Sequence, residues 1–188
     1  MSRDANTAFI EHLQHLAQRD RGALAALRRS LSFAPGDYPK AYPYVERYVG
    51  RDWHAADARR RALYAVAGLY AMHPVAHARS LAAAMGQLVR DKDRPSLELR
   101  FVALLEADAD GVMNHLRQAV SLLAAEGMGF NHAMLLQDLN VALNERASPD
   151  ARDRLKRQWA REFYRSLQPD HDAEGAAPAP AAASATTQ

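Results

Sequence analysis

Apolar residues recur every three or four positions along nearly the whole chain, and this spacing constrains the fold more than any other feature. Phe9, Leu13 and Leu16 follow it, and it resumes over 24–31 after a break at Asp20–Gly22. Such spacing places apolar side chains on one face of an α-helix. No stretch shows the strict alternation of a half-buried strand. The sequence therefore predicts an all-α protein.

Prolines and capping residues mark where the predicted helices begin and end. A helix is predicted over about 55–72. It should end at His73–Pro74, because a residue before proline avoids the helical region. The next helix is predicted over 76–89. The last begins at Ser148–Asp150, where a capping serine, a proline and an acid follow one another. In all, about eight helices are predicted, joined by short connections.

The composition changes near residue 169. From there to residue 188 the chain is rich in Ala, Pro and Ser, which cannot bury a core, so this tail is predicted to be disordered. The tail contains three acids and no Lys or Arg. The rest of the chain is therefore more basic than the formal net charge of +2 suggests.

Several classes of protein are not expected from this sequence. No window approaches about 18 consecutive apolar residues, so a transmembrane helix is not expected. The first residues mix charges with apolar side chains, unlike a secretory signal. The chain has no cysteine, which excludes disulfides, a thiol nucleophile and a cysteine-based zinc site. We expect a cytoplasmic protein that does not bind a membrane.

The sequence also offers no catalytic constellation. The pairs His12/His15 and His73/His77 have roughly helical spacing, but neither forms the HExxH pattern of helical metal hydrolases. Walker, GxSxG and dinucleotide-binding motifs are missing as well. We therefore expect no enzymatic activity, no bound metal and no cofactor.

The stretch RDRLKRQWAREFYRSL, residues 152–167, divides into two faces when it is drawn as a helix. At about 100° per residue, Leu155, Trp159 and Phe163 share one side. That side is expected to fasten the helix to the core, so no apolar face remains to insert into a membrane. The other side is under-neutralised and suits phosphate; we call it the arginine stripe, made of Arg154, Arg157, Arg161 and Arg165.

Further arginines lie outside this stretch, at Arg28–Arg29, Arg59–Arg61, Arg100 and Arg117. Arginine can bind phosphate through two N–H groups at once and can stack on bases, whereas lysine acts as a point charge. Adjacent arginines on a helix point about 100° apart, so each group contributes one or two side chains to a common surface. The pattern suits a surface that follows a nucleic-acid backbone with little sequence preference.

Six segments follow one another in an order that is typical of one family. They are FIEHLQHLAQRDRGALAALRRSL at 9–31, ALYAVAGLYAMHP at 62–74, SLELRFVALLEAD at 96–108, HLRQAVSLL at 115–123, LLQDLNVAL at 135–143 and RQWAREFY at 157–164. In this order the chain resembles the CasB family, the small subunit of the type I-E CRISPR surveillance complex called Cascade. The resemblance covers roughly 9–167.

The resemblance implies a non-enzymatic subunit made of two packed helical bundles. We expect an N-terminal bundle over 1–94 and a C-terminal bundle over 95–168, followed by the tail at 169–188. The implied partners are the guide-RNA-containing backbone and large subunits of Cascade, a second copy of the chain, and the target and displaced DNA strands. In such a complex the guide reads sequence while proteins hold the nucleic-acid backbones.

The resemblance also suggests which arginines contact nucleic acid. By position these are Arg28 or Arg29, Arg100 and Arg117, with similar basic positions at Arg59 and Arg146. Arg157 and Arg161 are added from the arginine stripe.

The sequence leaves two other functions open. The chain could be a helical adaptor whose basic face docks on acidic proteins, or a helix-turn-helix DNA-binding regulator, although no short recognition helix with polar readers is evident.

Overall fold

The computed structural model describes residues 3–168, apart from the side chain of Arg3. This part of the chain contains nine α-helices, two short 3-10 turns at Pro39–Ala41 and Glu46–Tyr48, and no β-strand, which confirms the all-α prediction. The predicted disordered tail at 169–188 lies outside the described residues. The helices are α1 (Arg3–Arg19), α2 (Arg21–Ser30), α3 (Tyr42–Val45), α4 (Ala58–Met72), α5 (Leu81–Lys92), α6 (Pro95–Glu106), α7 (Val112–Ala125), α8 (His132–Ala142) and α9 (Pro149–Leu167).

Helix α4 lies at the centre of the molecule. Every residue from 62 to 71 is buried, and the helix packs against α1, α2, α7 and α8. A helix that is apolar on all sides needs neighbours on all sides, which explains this central position. It begins at Ala58 rather than near residue 55, because the carboxylate of Asp57 accepts a hydrogen bond from the Arg59 N–H at 2.9 Å and caps it there.

Helices α5 and α9 pack closely along one another. A Cβ at Gly86 of α5 would overlap the Phe163 carbonyl of α9, so glycine allows the two backbones to approach. On α9 the side chains of Leu155, Trp159 and Phe163 are buried, as predicted. The Phe163 ring stacks on Phe101 of α6, with ring centroids 4.0 Å apart. Ser148 caps α9 through a hydrogen bond from the Ala151 N–H, also as predicted.

The predicted helix over 76–89 is wrong at its start. Helix α5 begins at Leu81, where Ser80 accepts a hydrogen bond from the Ala83 N–H at 3.1 Å. The preceding residues pair instead with the segment before α8: the His77 N–H donates to the Phe130 carbonyl at 3.2 Å, and the Asn131 N–H donates to the Arg79 carbonyl at 2.8 Å. These tertiary hydrogen bonds replace the helical ones.

The buried apolar side chains form one connected cluster that extends from α1 to α9. Between α5 and α6 the chain turns through Asp93, whose φ of 47° ends α5 in the left-handed region. Helix α5 belongs to the predicted N-terminal bundle, yet it packs mainly against α9 of the predicted C-terminal bundle. The division into bundles at 1–94 and 95–168 stays a prediction.

Candidate nucleic-acid interface

Two of the predicted site residues, Arg28 and Arg29, lie in the last turn of α2. The Arg28 guanidinium donates to the Ala71 carbonyl through Nε at 3.1 Å and Nη2 at 2.8 Å. That carbonyl lies in the last turn of α4, where no helical N–H remains to pair with it. Arg28 therefore caps α4 while its residue remains exposed. Arg29 is exposed and its side chain makes no hydrogen bond or ion pair within the described residues.

Arg117 of α7 reaches the same end of α2. Its Nη1 donates to the Leu31 carbonyl at 2.8 Å, and Leu31 is the residue that ends α2. A cation at a helix C-terminus is favoured by the helix dipole. Arg28, Arg29 and Arg117 are thus all associated with the C-terminal end of α2. A guanidinium has five N–H donors, so Arg28 keeps three and Arg117 keeps four for other partners.

Arg59 and Arg146 line a second feature, a polar cleft of about 570 Å³ between the start of α4 and the loop from α8 to α9. Arg59 is paired with Asp57 through two hydrogen bonds, of 3.0 Å and 2.6 Å, and its guanidinium lies 4.2 Å from the Trp53 ring. The hydrogen bonds from Arg59 lower the pKa of Asp57. Arg59 thus faces its own counter-ion, whereas the Arg146 side chain is exposed and unpaired within residues 3–168.

Arg61 connects these two surfaces, although it was not among the predicted site residues. Its Nη1 lies 2.9 Å from Glu145, which lines the polar cleft with Arg146. Arg61 itself lines a groove with Arg117. The sequence shows the Arg59–Arg61 triplet, but helical geometry alone could not predict which of the three side chains is buried. The structure buries Arg60, which is 7% exposed.

Arg100 of α6 and the arginine stripe of α9 form the remaining candidates. Arg100, Arg157 and Arg161 are all exposed, and their side chains make no hydrogen bond or ion pair in the described part of the chain. The other stripe members, Arg154 and Arg165, lie on the same outward side of α9, away from the buried face of Leu155, Trp159 and Phe163. This confirms that α9 separates its apolar and basic faces. No described contact joins these residues to the α2 end or the polar cleft.

Two of the histidines that the sequence places at helical spacing have backbone partners in the fold. His12 and His73 each place Nε2 2.9 Å from a backbone carbonyl, of Tyr44 and Met128 respectively. Among the described residues, no group of three or more metal-ligating side chains lies together. None of the helices in the described residues has the length and apolar character to span a membrane.

The described residues thus form an all-helical fold that carries several exposed guanidinium groups. The sequence profile of the CRISPR-associated protein Cse2 family matches residues 23–164, a range that includes all eight candidate arginines. A curated Cse2 protein of Thermus thermophilus is 44% identical over 161 residues, which cover 83% of this chain and 88% of that protein. The chain belongs to the Cse2 family.

Solved structures agree with this membership. A Cse2-family protein from Thermus thermophilus has 40% sequence identity and a TM-score of 0.70, covering 85% of this chain and 97% of that one. A structure of CasB from the same organism gives the same values, which confirms the resemblance to CasB. A chain in a structure of a CRISPR RNA-guided surveillance complex has 26% identity and a TM-score of 0.74, covering 88% of this chain and 94% of that one.

Proposed function

We propose that this chain is the small subunit of a type I-E Cascade complex, and that it binds nucleic-acid backbones without sequence preference to stabilise the R-loop. In this role it works in the cytoplasm beside the backbone and large subunits and a second copy of itself, contacts the target and displaced DNA strands, and performs no chemistry. The observation that carries the proposal is the likeness in fold and sequence to a chain of a CRISPR RNA-guided surveillance complex.

The arrangement of the arginines supports this role. Arg29, Arg100 and Arg146 come from three different elements, and all three are exposed and unpaired in the described structure. Phosphate contacts of this kind position a protein on nucleic acid but carry no sequence information. Scattered exposed guanidinium groups on a rigid helical frame therefore suit backbone binding better than base readout.

Binding of a labelled duplex and a labelled single strand across a salt series tests the proposal. The variant with Arg29, Arg100 and Arg146 all changed to Ala should bind both at least about tenfold more weakly. Its plot of log affinity against log salt should also lose about 2–3 units of slope, because each lost phosphate contact removes about 0.7–0.9. Unlike Arg28 and Arg117, these three arginines cap no helix with their side chains, so their loss should not disturb the fold.

A matched control removes the same charge from elsewhere. Arg19, Arg21 and Arg51 are also exposed and make no side-chain hydrogen bond or ion pair within residues 3–168. Changing all three to Ala should reduce affinity less and leave most of the slope. Equal losses in the two triple variants, with unchanged helical circular dichroism, would show that net charge rather than these positions governs binding.

The arginine stripe has a second candidate function, as a face that docks on an acidic protein neighbour. Two exposed apolar residues near the C-terminal half of the molecule favour it: Leu99 of α6 is 68% exposed and Tyr164 of α9 is 44% exposed. The Tyr164 hydroxyl donates to Glu98 at 3.0 Å and holds the two helices together there. If the stripe meets protein, changing Arg157 and Arg161 to Ala should weaken capture of partner subunits even after nuclease treatment.

A further inference from the structure

Phe33 is a large apolar side chain that the fold leaves in water. It lies just beyond α2 and is 44% exposed. Its ring stacks on Tyr38, with centroids 4.8 Å apart and planes 19° from parallel. The exposed part of Phe33 lines the groove that Arg61 and Arg117 also line. One side of the ring is thus supported by an aromatic neighbour while the remainder faces an open, basic groove.

The loop that carries Phe33 is held by contacts with the elements that follow it. Gly36 has a φ of 96°, and its carbonyl accepts a hydrogen bond from the Tyr42 hydroxyl at 2.8 Å. Beneath it, the buried Arg60 guanidinium lies 5.5 Å from the Tyr42 ring and 4.8 Å from the Tyr64 ring. A ligand that stacks on Phe33 would therefore meet a surface that is already in position and would lose less free energy to ordering it.

The groove is small and carries more positive than negative charge. Its volume is about 290 Å³, at the lower limit of pockets for drug-sized ligands, so it admits one flat ring system rather than a helix. Arg61 and Arg117 are its two cations and Asp110 is its one lining carboxylate. Arg61 is already paired with Glu145, but Arg117 keeps four N–H donors. A flat aromatic ring attached to an anion matches these features.

We infer that the groove binds one unpaired base of a single-stranded nucleic acid, which stacks on Phe33 while Arg117 binds the adjoining phosphate. The inference rests on the proposed function and adds to it a preference for single strands that carry bases over a phosphate backbone without bases. A paired base would not be accessible to Phe33, because both of its faces are covered by neighbouring bases. Stacking tolerates any base, since every base has a π-face.

The experiment compares two labelled strands of equal length and charge, an oligothymidine and a fully abasic strand, binding to the full chain at one salt concentration. The wild-type chain should prefer the oligothymidine by at least about fivefold, in line with the stacking of one base. Phe33→Ala should lose that preference and bind the abasic strand as before, while Phe33→Trp should keep it. Val75→Ala is the matched control, because Val75 is also an apolar side chain with 44% exposure but lies outside the groove.

Four results would overturn the inference. Phe33→Ala could bind both strands like the wild type, which would exclude stacking on Phe33. The proposed function would still stand if the variant lacking Arg29, Arg100 and Arg146 binds both strands more weakly. Phe33→Ala could weaken both strands equally, which would give Phe33 a role in holding the loop. It could change self-association in sedimentation without changing base preference, which would make a second copy the occupant of the groove. Binding of neither strand by the wild type would overturn the proposed function as well.

Discussion

Arg28 shows that one arginine can hold the fold together and remain available to a ligand. Two of its donors bond to the Ala71 carbonyl, which is 43 residues away along the chain. The sequence predicted a surface arginine at this position, and the residue is exposed. Its partner was unpredictable, because the contact depends on how α2 packs against α4. Capping and phosphate binding do not compete here, since three donors remain.

At the same scale, neighbouring arginines should differ in their effect on stability. Arg28→Ala should lower the free energy of unfolding by about 1–2 kcal/mol, because it removes hydrogen bonds from a charged donor to a helix-end carbonyl. Arg29→Ala should change it by less than about 0.5 kcal/mol, because that side chain has no partner in the described structure. Urea unfolding of the two variants measures the difference. Equal unfolding free energies would argue against a capping role for Arg28.

At the scale of the elements, the close approach of α5 and α9 depends on Gly86. Gly86→Ala should lower the free energy of unfolding by at least about 1–3 kcal/mol, because the new methyl group would push the Phe163 carbonyl away. Gln87→Ala on the same helix is the control and should be nearly neutral, since that side chain is only partly buried. Urea denaturation midpoints at equal m-value measure both effects. A neutral Gly86→Ala would mean that the two helices can separate without cost.

Elements differ in how far the sequence could predict them. Helix α9 was predicted in both extent and orientation, because its cap at Ser148 and its apolar spacing through Leu155, Trp159 and Phe163 are local signals. The start of α5 was not, because residues 76–80 are held by hydrogen bonds to Phe130 and Asn131, some fifty residues later. The exposure of the Phe33 ring, which lies in a Pro/Gly-rich stretch, could not be predicted for the same reason, because exposure depends on tertiary packing.

For the molecule as a whole, two titratable groups on α8, the buried His132 and the partly buried Asp138, give stability opposite dependences on pH. Burial lowers the pKa of His132 to about 4, so its contribution is lost as pH falls from about 6.5 toward 4. Burial raises the pKa of Asp138, which accepts a hydrogen bond from the Trp159 indole at 2.7 Å, to about 6. The fold therefore holds this proton more tightly than the unfolded chain does, and stability is lost as pH rises from about 3.8 to 6.

Asp138→Asn should separate these two effects. The amide oxygen can still accept the Trp159 hydrogen bond, but the variant cannot gain stability by protonation as the pH falls. Relative to the wild type, it should lose up to about 2–3 kcal/mol more between pH 6.5 and 4, leaving the His132 effect uncompensated. Urea unfolding at four pH values across this interval checks it. Parallel curves for the two proteins would contradict the assignment to Asp138.

The role of the candidate arginines in binding nucleic acid stays a prediction, and their placement could be predicted only in part. The sequence identified the arginines, and the structure groups Arg28, Arg29 and Arg117 at one end of α2 and places Arg59 and Arg146 in one cleft. The sequence could not predict that Asp57 pairs with Arg59 or that Arg61 joins the two surfaces, because both contacts depend on side-chain placement in the folded chain.

If this chain is a subunit of an RNA-guided complex, as we propose, guide RNA should remain bound to the complex that contains it. The most direct measurement is to purify the tagged full chain from its native cells and to sequence the RNA that co-purifies with it and survives nuclease treatment. We expect short RNAs that carry CRISPR repeat and spacer sequence, enriched over an untagged control and recovered together with other Cascade subunits. A chain recovered with no enrichment of such RNA would contradict this proposal.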